Sequence, residues 1–254
     1  MKNPQHILIT GASSGIGEAL ALHYAQKGVT LFLCAQNMER LKNVADHCRE
    51  KGAEIYMEKV DVTNASAMEN WISRSDKMAG LDLVVANAGV SAGPGKTGES
   101  AELTRKIFAV NVGGVLNTVL PALDKMKQRG KGQIAVLSSL AGYRGLPSAP
   151  AYSGSKNAVR AWGEALRGHL KPQGIEVNVI CPGFVVSRIT AKNEFPMPFL
   201  MPAEKAAAII AKGLRKNKGR ITFPPLLAFG AWLISCLPAG IAEFVLTKLP
   251  NKGS

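Results

Sequence analysis

Short runs rich in β-branched residues alternate with longer stretches of helical periodicity along most of the chain, and few architectures accommodate that alternation. Residues 6–10 read as a strand, 15–27 as a helix closed by Gly28, and 29–35 as the next strand, so one βαβ unit is complete by residue 35. The pattern continues with a helix over 38–51, a strand over 54–60, a helix over 65–78 capped by Asn64, and an apolar strand over 81–86. A long helix over 101–128, a strand over 133–138, a helix over 151–170 and a strand over 176–180 follow, and 203–216 and 220–223 supply the last helix and strand. Crossovers between parallel strands are right-handed, so the helices must divide between both faces of a doubly wound parallel sheet of about seven strands. A chain of 254 residues can bury such a core as one α/β domain spanning 1–254.

In sheets of this kind ligands bind beyond the carboxyl ends of the strands. The first such end carries Thr10-Gly11-Ala12-Ser13-Ser14-Gly15-Ile16-Gly17, whose three glycines allow a tight turn, close approach of a pyrophosphate, and close packing of helix on strand. The helix N-terminus then faces the anion with its unpaired N–H groups. Isolated glycine triplets are mostly structural turns, but the strand before and the helix after make this a nucleotide-binding turn and the expected fold Rossmann-type.

A second constellation lies further along. Tyr152 and Lys156 are four apart on a predicted helix and share a face. An ammonium near a phenol favours the phenolate, which lowers the phenol pKa from about 10 and makes it usable as acid or base near neutral pH. Ser139, at the end of the fifth strand, can donate a hydrogen bond to a substrate oxygen as charge develops there. Tyrosine and lysine at this spacing are usually a solvated surface pair, and Ser138-Ser139 could be ordinary turn chemistry, so the context decides.

That context resembles the short-chain dehydrogenase/reductase superfamily over roughly residues 5–190. The resemblance rests on the glycine turn with three residues between Gly11 and Gly15, on Asp61-Val62, on Asn87-Ala88-Gly89 after the fourth strand, on Asn111 in the long helix, on Ser139 thirteen positions before Tyr152 in Tyr152-Ser153-Gly154-Ser155-Lys156, and on Pro182-Gly183 after the sixth strand. It implies an enzyme that interconverts a carbonyl and an alcohol by hydride transfer with a nicotinamide cofactor. Asn111, Ser139, Tyr152 and Lys156 would be catalytic, Asn111 holding a water that links Lys156 to solvent. Asp61-Val62 would contact the adenine, Asn87-Ala88-Gly89 would stabilise the sheet beside the cofactor, Lys156 would also bond the nicotinamide ribose, and Ser187 stands where the family often has a threonine that bonds the nicotinamide amide. Dimers or tetramers through two long central helices are implied as well.

Cofactor choice turns on the end of the second strand, where a carboxylate would bond a ribose 2′-hydroxyl and repel a 2′-phosphate. Ala35 stands there, followed by Gln36 and Asn37 with Arg40 nearby, and Ser13-Ser14 precede Gly15. Missing repulsion, polar groups from Ser13, Gln36 and Asn37, and a basic protein favour NADP(H) over NAD(H), with dual use as the alternative.

After Pro182-Gly183 a substrate loop over 184–202 carries Phe195, Met197, Phe199, Leu200 and Met201. They predict an apolar pocket and a fairly apolar or lipid-like substrate, unless they pack as loop anchors. Beyond the last strand, 224–254 is an apolar extension, and the stretch 221–242 carries no charge. Pro224, Pro225 and Pro238 with Gly230 and Gly240 leave about a dozen residues of uninterrupted helix, too few to span a bilayer. A lid over the pocket or a subunit contact competes there with peripheral membrane contact, because Lys212, Arg215, Lys216, Lys218 and Arg220 directly precede it and the net charge is +13. Base-stacking aromatics and known nucleic-acid modules are missing, so no nucleic-acid partner is expected. Cys34, Cys48, Cys181 and Cys236 form no C-x-x-C pair, the histidines His6, His23, His47 and His169 show no ligand spacing, and no metal is expected. The N-terminus lacks a secretory pattern, so a cytoplasmic setting, with membrane association as an option, is expected. A cofactor-binding regulator of the same fold without turnover is the alternative function; the intact Ser139, Tyr152 and Lys156 stand against it.

Overall fold

The computed structural model describes residues 3–91, 99–192 and 196–248. Seven parallel strands form one sheet: β1 (His6–Thr10), β2 (Thr30–Ala35), β3 (Glu54–Lys59), β4 (Leu83–Ala86), β5 (Gly132–Leu137), β6 (Ile175–Pro182) and β7 (Arg220–Phe223), in the order β3-β2-β1-β4-β5-β6-β7. Ile7 pairs with Leu31 on one side and Leu83 on the other, so the direction of strand succession reverses at β1. The connections leaving β1 and β4 pass to opposite faces of the sheet there, which is where such sheets have a crevice.

Alternation along the strands divides the core. Ile7, Ile9, Leu31 and Leu33 face α1 (Gly15–Tyr24), α2 (Met38–Glu50) and α7 (Ala203–Arg215), while Leu8, Phe32, Val84, Ile134 and Val136 face α3 (Ala65–Ala79), α5 (Gly114–Arg129) and α6 (Pro150–Leu170). The inner strands β1, β2, β4 and β5 are largely apolar because helices cover both of their faces, whereas the edge strands β3 and β7 carry charged, exposed residues.

Two helices depart from the sequence expectation. The first ends at Tyr24 rather than residue 27: Ala25 is already extended while its N–H still bonds Ala21 O, and Gly28, at φ +84°, shapes the turn into β2 instead of capping the helix. The long helix over 101–128 is interrupted, as α4 (Ala101–Phe108) passes through a π turn at Ala109–Gly113 into α5. Ile107, Asn111, Val115 and Val119 are buried at a strict spacing of four. In an uninterrupted α-helix that spacing drifts about 40° per step, and the wider π turn takes up the drift so that all four face inward.

The carboxyl-terminal part forms α8 (Pro225–Cys236) and α9 (Ala239–Thr247). Leu227, Ala228 and Ala231 of α8 pack on Leu140, Tyr143, Val179 and Cys181. Val179 and Cys181 point away from the face that Ile180 shares with α7, so the helix bearing Lys212 and Arg215 and the apolar helix α8 lie on opposite faces of the sheet. Arg220 is committed within the fold, paired with Glu164 at 2.7 Å and stacked 5.2 Å from the Tyr143 ring centre. Adjacency in sequence between the basic run and the apolar segment therefore does not become a joint surface.

Candidate active site

At the crevice, backbone is fastened to backbone. Thr10 Oγ1 accepts from the N–H groups of Asn87 (3.0 Å) and Ala88 (3.1 Å), and Asn87 Nδ2 donates to Thr10 O (2.9 Å) and Gly11 O (3.2 Å). Gly11, at φ +65°, has no room for a side chain, since a Cβ would stand 2.9 Å from Ala88 Cα. Gly17 is tighter still: its Cβ would lie 2.4 Å from Gly11 O, so α1 can press onto the turn only with glycine there. The N-cap, Ser14, makes no side-chain bond to its helix, which leaves the first N–H groups of α1 directed at the crevice.

A cleft of about 650 Å³ opens over this turn. Of the residues expected from sequence, Gly11, Ser13, Ser14, Gly15, Ile16, Gln36, Val62, Asn87, Ala88, Gly89, Ser139, Tyr152, Lys156, Pro182, Gly183 and Ser187 line it, whereas Gly17 and Asn111, both buried, and the exposed Asp61 do not. Asp61 is turned to Thr63, accepting from its N–H and Oγ1 at 2.9 and 2.8 Å, and those bonds with one from Gln36 hold its carboxyl below the ordinary range although burial alone would raise it. Ser187 sits over the glycine turn, its Cβ 3.0 Å from where a Cβ on Gly15 would be.

The chemistry gathers at the carboxyl end of β5. Ser139 Oγ accepts from Ala141 N (3.1 Å), and Ser139 hydrogen-bonds the Tyr152 phenol. Lys156 is buried, its Nζ donating to Leu137 O at 2.8 Å. Ser138 Oγ donates to Lys156 O at 2.7 Å, fixing α6 against the strand end. Asn111 spends its amide between elements: Oδ1 accepts from Val90 N (2.8 Å), and Nδ2 donates to Val90 O (3.0 Å) and to Ser155 Oγ (3.0 Å). It touches α6 through Ser155, not through Lys156. Asn111 Oδ1 and Lys156 Nζ nevertheless converge, each within 3.3 Å of where a Cβ on Gly89 would stand.

Electrostatics correct one expectation. Burial holds the Tyr152 phenol above its ordinary pKa, outweighing the hydrogen bond from Ser139, so the ammonium does not dominate. Lys156 Nζ lies 5.9 Å from the phenol ring centre and is directed at a backbone carbonyl, and burial pushes its own pKa down to about 8. The ammonium is disfavoured in the folded chain only, so the unfolded chain holds more protons between pH of about 8 and the ordinary value of 10.5. This group alone should therefore raise the unfolding free energy with pH across that window, by up to about 3 kcal/mol. Burial also raises the thiols of Cys34, Cys48 and Cys181, which acts in the opposite direction above their ordinary value of 9, and burial of Tyr152 does so above 10, so the lysine must be isolated by comparison. Urea melts of the wild type and Lys156→Met from about pH 7 to 10 isolate the lysine; parallel curves would assign the rise elsewhere.

The substrate loop corrects another. Val185, Ser187, Arg188, Ile189 and Thr190 line the cleft, but Met197, Phe199, Leu200 and Met201 do not. Met201 is an anchor, bridged to Val185 with its N–H on Phe184 O at 3.0 Å, while Phe199 and Leu200 face solvent. Phe195 lies outside the described residues. Cleft residues missed from sequence include Lys106 and Val110, four apart across the end of α4 and the π turn. They lie one position before Ile107 and Asn111, on the strip of the helix that borders the buried stripe. Arg40 reaches the cleft beside Ala35, Gln36 and Asn37, and its Nε is buried with no hydrogen-bond partner.

A family model described as short chain dehydrogenase matches residues 5–196. A protein of Myxococcus xanthus described as an uncharacterized oxidoreductase is 40% identical over 243 residues, covering 95% of this chain and 96% of that one. Among solved structures, a short chain dehydrogenase/reductase from Burkholderia phymatum in complex with NAD matches with a TM-score of 0.84 at 24% identity, covering 100% of this chain and 99% of the other. A short-chain dehydrogenase from Sphingobium yanoikuyae in complex with NADPH matches at 0.80 and 23%, covering 98% and 97%. At those identities the likeness of the two structures concerns the fold.

Proposed function

The chain belongs to the short-chain dehydrogenase family, and from that premise we propose that it is a nicotinamide-dependent oxidoreductase interconverting a carbonyl and an alcohol. The observation that carries this reading is the meeting of Ser139, Tyr152 and Lys156 at the floor of a cleft whose other end is the glycine turn. The cleft fits a dinucleotide: backbone is bared at Gly11 and Gly15, the helix N-terminus is open, and the volume is that of a cofactor site. The cofactor would supply the hydride. Tyr152 would pass its phenolic proton to the carbonyl oxygen in reduction and take it back in oxidation, Ser139 would donate a hydrogen bond to the same oxygen, and Lys156 would bond the ribose. Asn111 would hold the loop at Val90 and the helix at Ser155 in register around them, and its family role with a bound water fits the convergence at Gly89. A screen of ketones and alcohols, read at the nicotinamide absorbance band with each cofactor, tests the reading; cofactor binding without turnover of any of them would instead favour a regulator.

NADP(H) is the favoured cofactor. Ala35 presents no carboxylate to a 2′-phosphate, and the orphaned Arg40 Nε with Gln36 and Asn37 offers it donors. Ala35→Asp should weaken NADPH by roughly tenfold or more while leaving NADH within a few-fold, as read by titrating nucleotide fluorescence. Undiminished NADPH affinity would place the 2′-phosphate elsewhere. Ile189 and Val90 at the cleft and the exposed apolar surface beside it support a fairly apolar substrate. Exposed Phe108 and Leu120 on α4 and α5 support self-association through the central helices, and four free cysteines fit a reducing, cytoplasmic setting.

A further inference from the structure

We infer that α8 and α9 dock the protein on an anionic lipid surface, with the mouth of the cleft beside the lipid. Leu226, Phe229, Trp232 and Leu233 of α8 and Ile241 and Phe244 of α9 are each about half exposed or more. Clustered large apolar side chains on a water-facing surface mark a contact. Protein partners are normally met with hydrogen bonds as well as apolar groups, yet this face offers almost none: Ser235 Oγ is turned back to Trp232 O at 2.6 Å, leaving the Trp232 indole as the one polar atom among those six side chains. A hydrocarbon boundary asks for such a face, with an indole at the headgroup level. Twelve residues of α8 are too few to cross a bilayer, so the helix lies along it.

Charge selects the same occupant. Arg144, whose Nη1 donates to Ser235 O, and Lys248, whose Nζ stands 3.9 Å over the Phe244 ring, border the face, and Glu243 is the single acidic residue on the two helices. A chain of net charge +13 is drawn to an anionic surface, and the cations at the border of this face would meet the headgroups. The inner side of α8 packs behind the wall of the cleft: a Cβ on the cleft-lining Gly183 would stand 3.0 Å from Leu227 Cδ2, and Leu140, next to Ser139, packs with Ala228. A carbonyl or alcohol dissolved in the lipid would thus meet the cleft at its rim; this last step rests on the proposed activity, and the docking does not.

Cys236, at the end of α8, is exposed while Cys34, Cys48 and Cys181 are buried, so an environment-sensitive fluorophore can be placed on it alone. The labelled full chain should brighten and shift to the blue with vesicles of phosphatidylcholine plus phosphatidylglycerol, less with phosphatidylcholine alone, and the response should fade as salt rises. The triple variant Phe229→Glu, Trp232→Glu, Phe244→Glu should lose at least tenfold in vesicle affinity with unchanged melting temperature and NADPH affinity. No response to either vesicle, or an equal response to both, overturns the proposal. So does a wild type that sediments as a dimer through this face and a triple variant that sediments as a monomer. With docking intact, failure of the triple variant to lose turnover of a vesicle-dissolved ketone would count against the substrate reading alone.

Discussion

Tyr152→Phe should leave the fold and the cofactor affinity unchanged and reduce turnover by about 10²–10⁴-fold, because only the transferable proton is removed. The structure sharpens that expectation. The phenol is half-buried, hydrogen-bonded to Ser139, and held in its neutral form by burial, so the variant keeps the packing and loses one hydrogen bond. Single-turnover oxidation of bound cofactor, measured beside a fluorescence titration, separates chemistry from binding. Turnover within tenfold of the wild type would remove Tyr152 from the mechanism.

Gly17→Ala should be nearly as damaging by another route. The added methyl would stand 2.4 Å from Gly11 O and 2.5 Å from Asn87 Nδ2. The first contact is backbone, so α1 must move off the turn, and the bonds from Asn87 to Thr10 and Gly11 stretch with it. A loss of about 1–3 kcal/mol in stability is expected, with cofactor affinity down roughly tenfold or more as the helix N-terminus shifts from the pyrophosphate position. Gly230→Ala is the control: its methyl meets nothing within 4 Å in mid-helix α8, and it should gain up to about 1 kcal/mol. Thermal melts and nucleotide titration of both variants decide the matter, and equal behaviour would mean that the turn is looser than its contacts imply.

Much of this was legible before any coordinates, for a reason visible in particular residues. Strand runs such as Leu31-Phe32-Leu33 are buried on both faces, so they are apolar without interruption, and the helices between them carry their own stops. Fold and glycine turn follow from such local signals. Tyr152, Lys156 and Ser139 are marked by their spacing only in company with the other motifs of the family they resemble, since a tyrosine and a lysine four apart on a helix are by themselves an ordinary surface pair. What stayed hidden depends on distant partners. Asp61 turns to Thr63, Met201 anchors on Val185, and the Tyr152 phenol responds to its burial more than to a lysine aimed at Leu137 O. The basic run and the apolar segment are neighbours in sequence and strangers in space because β7 lies between them and sends α7 and α8 to opposite faces.

The π turn at Ala109–Gly113 makes the site depend on a count as well as on identities. It is one residue more than an α-helical turn would hold, stored between two helical halves that each have their own partners. A chain shortened by one residue there could close into continuous α-helix with Ile107 and Val119 still near their places, yet the amide of Asn111 would swing away from Val90 and Ser155. Every residue of the proposed catalytic set would still be present in such a chain, and an alignment scored by identity would pass it as intact. The missing component would be length, and the rotation it supplies.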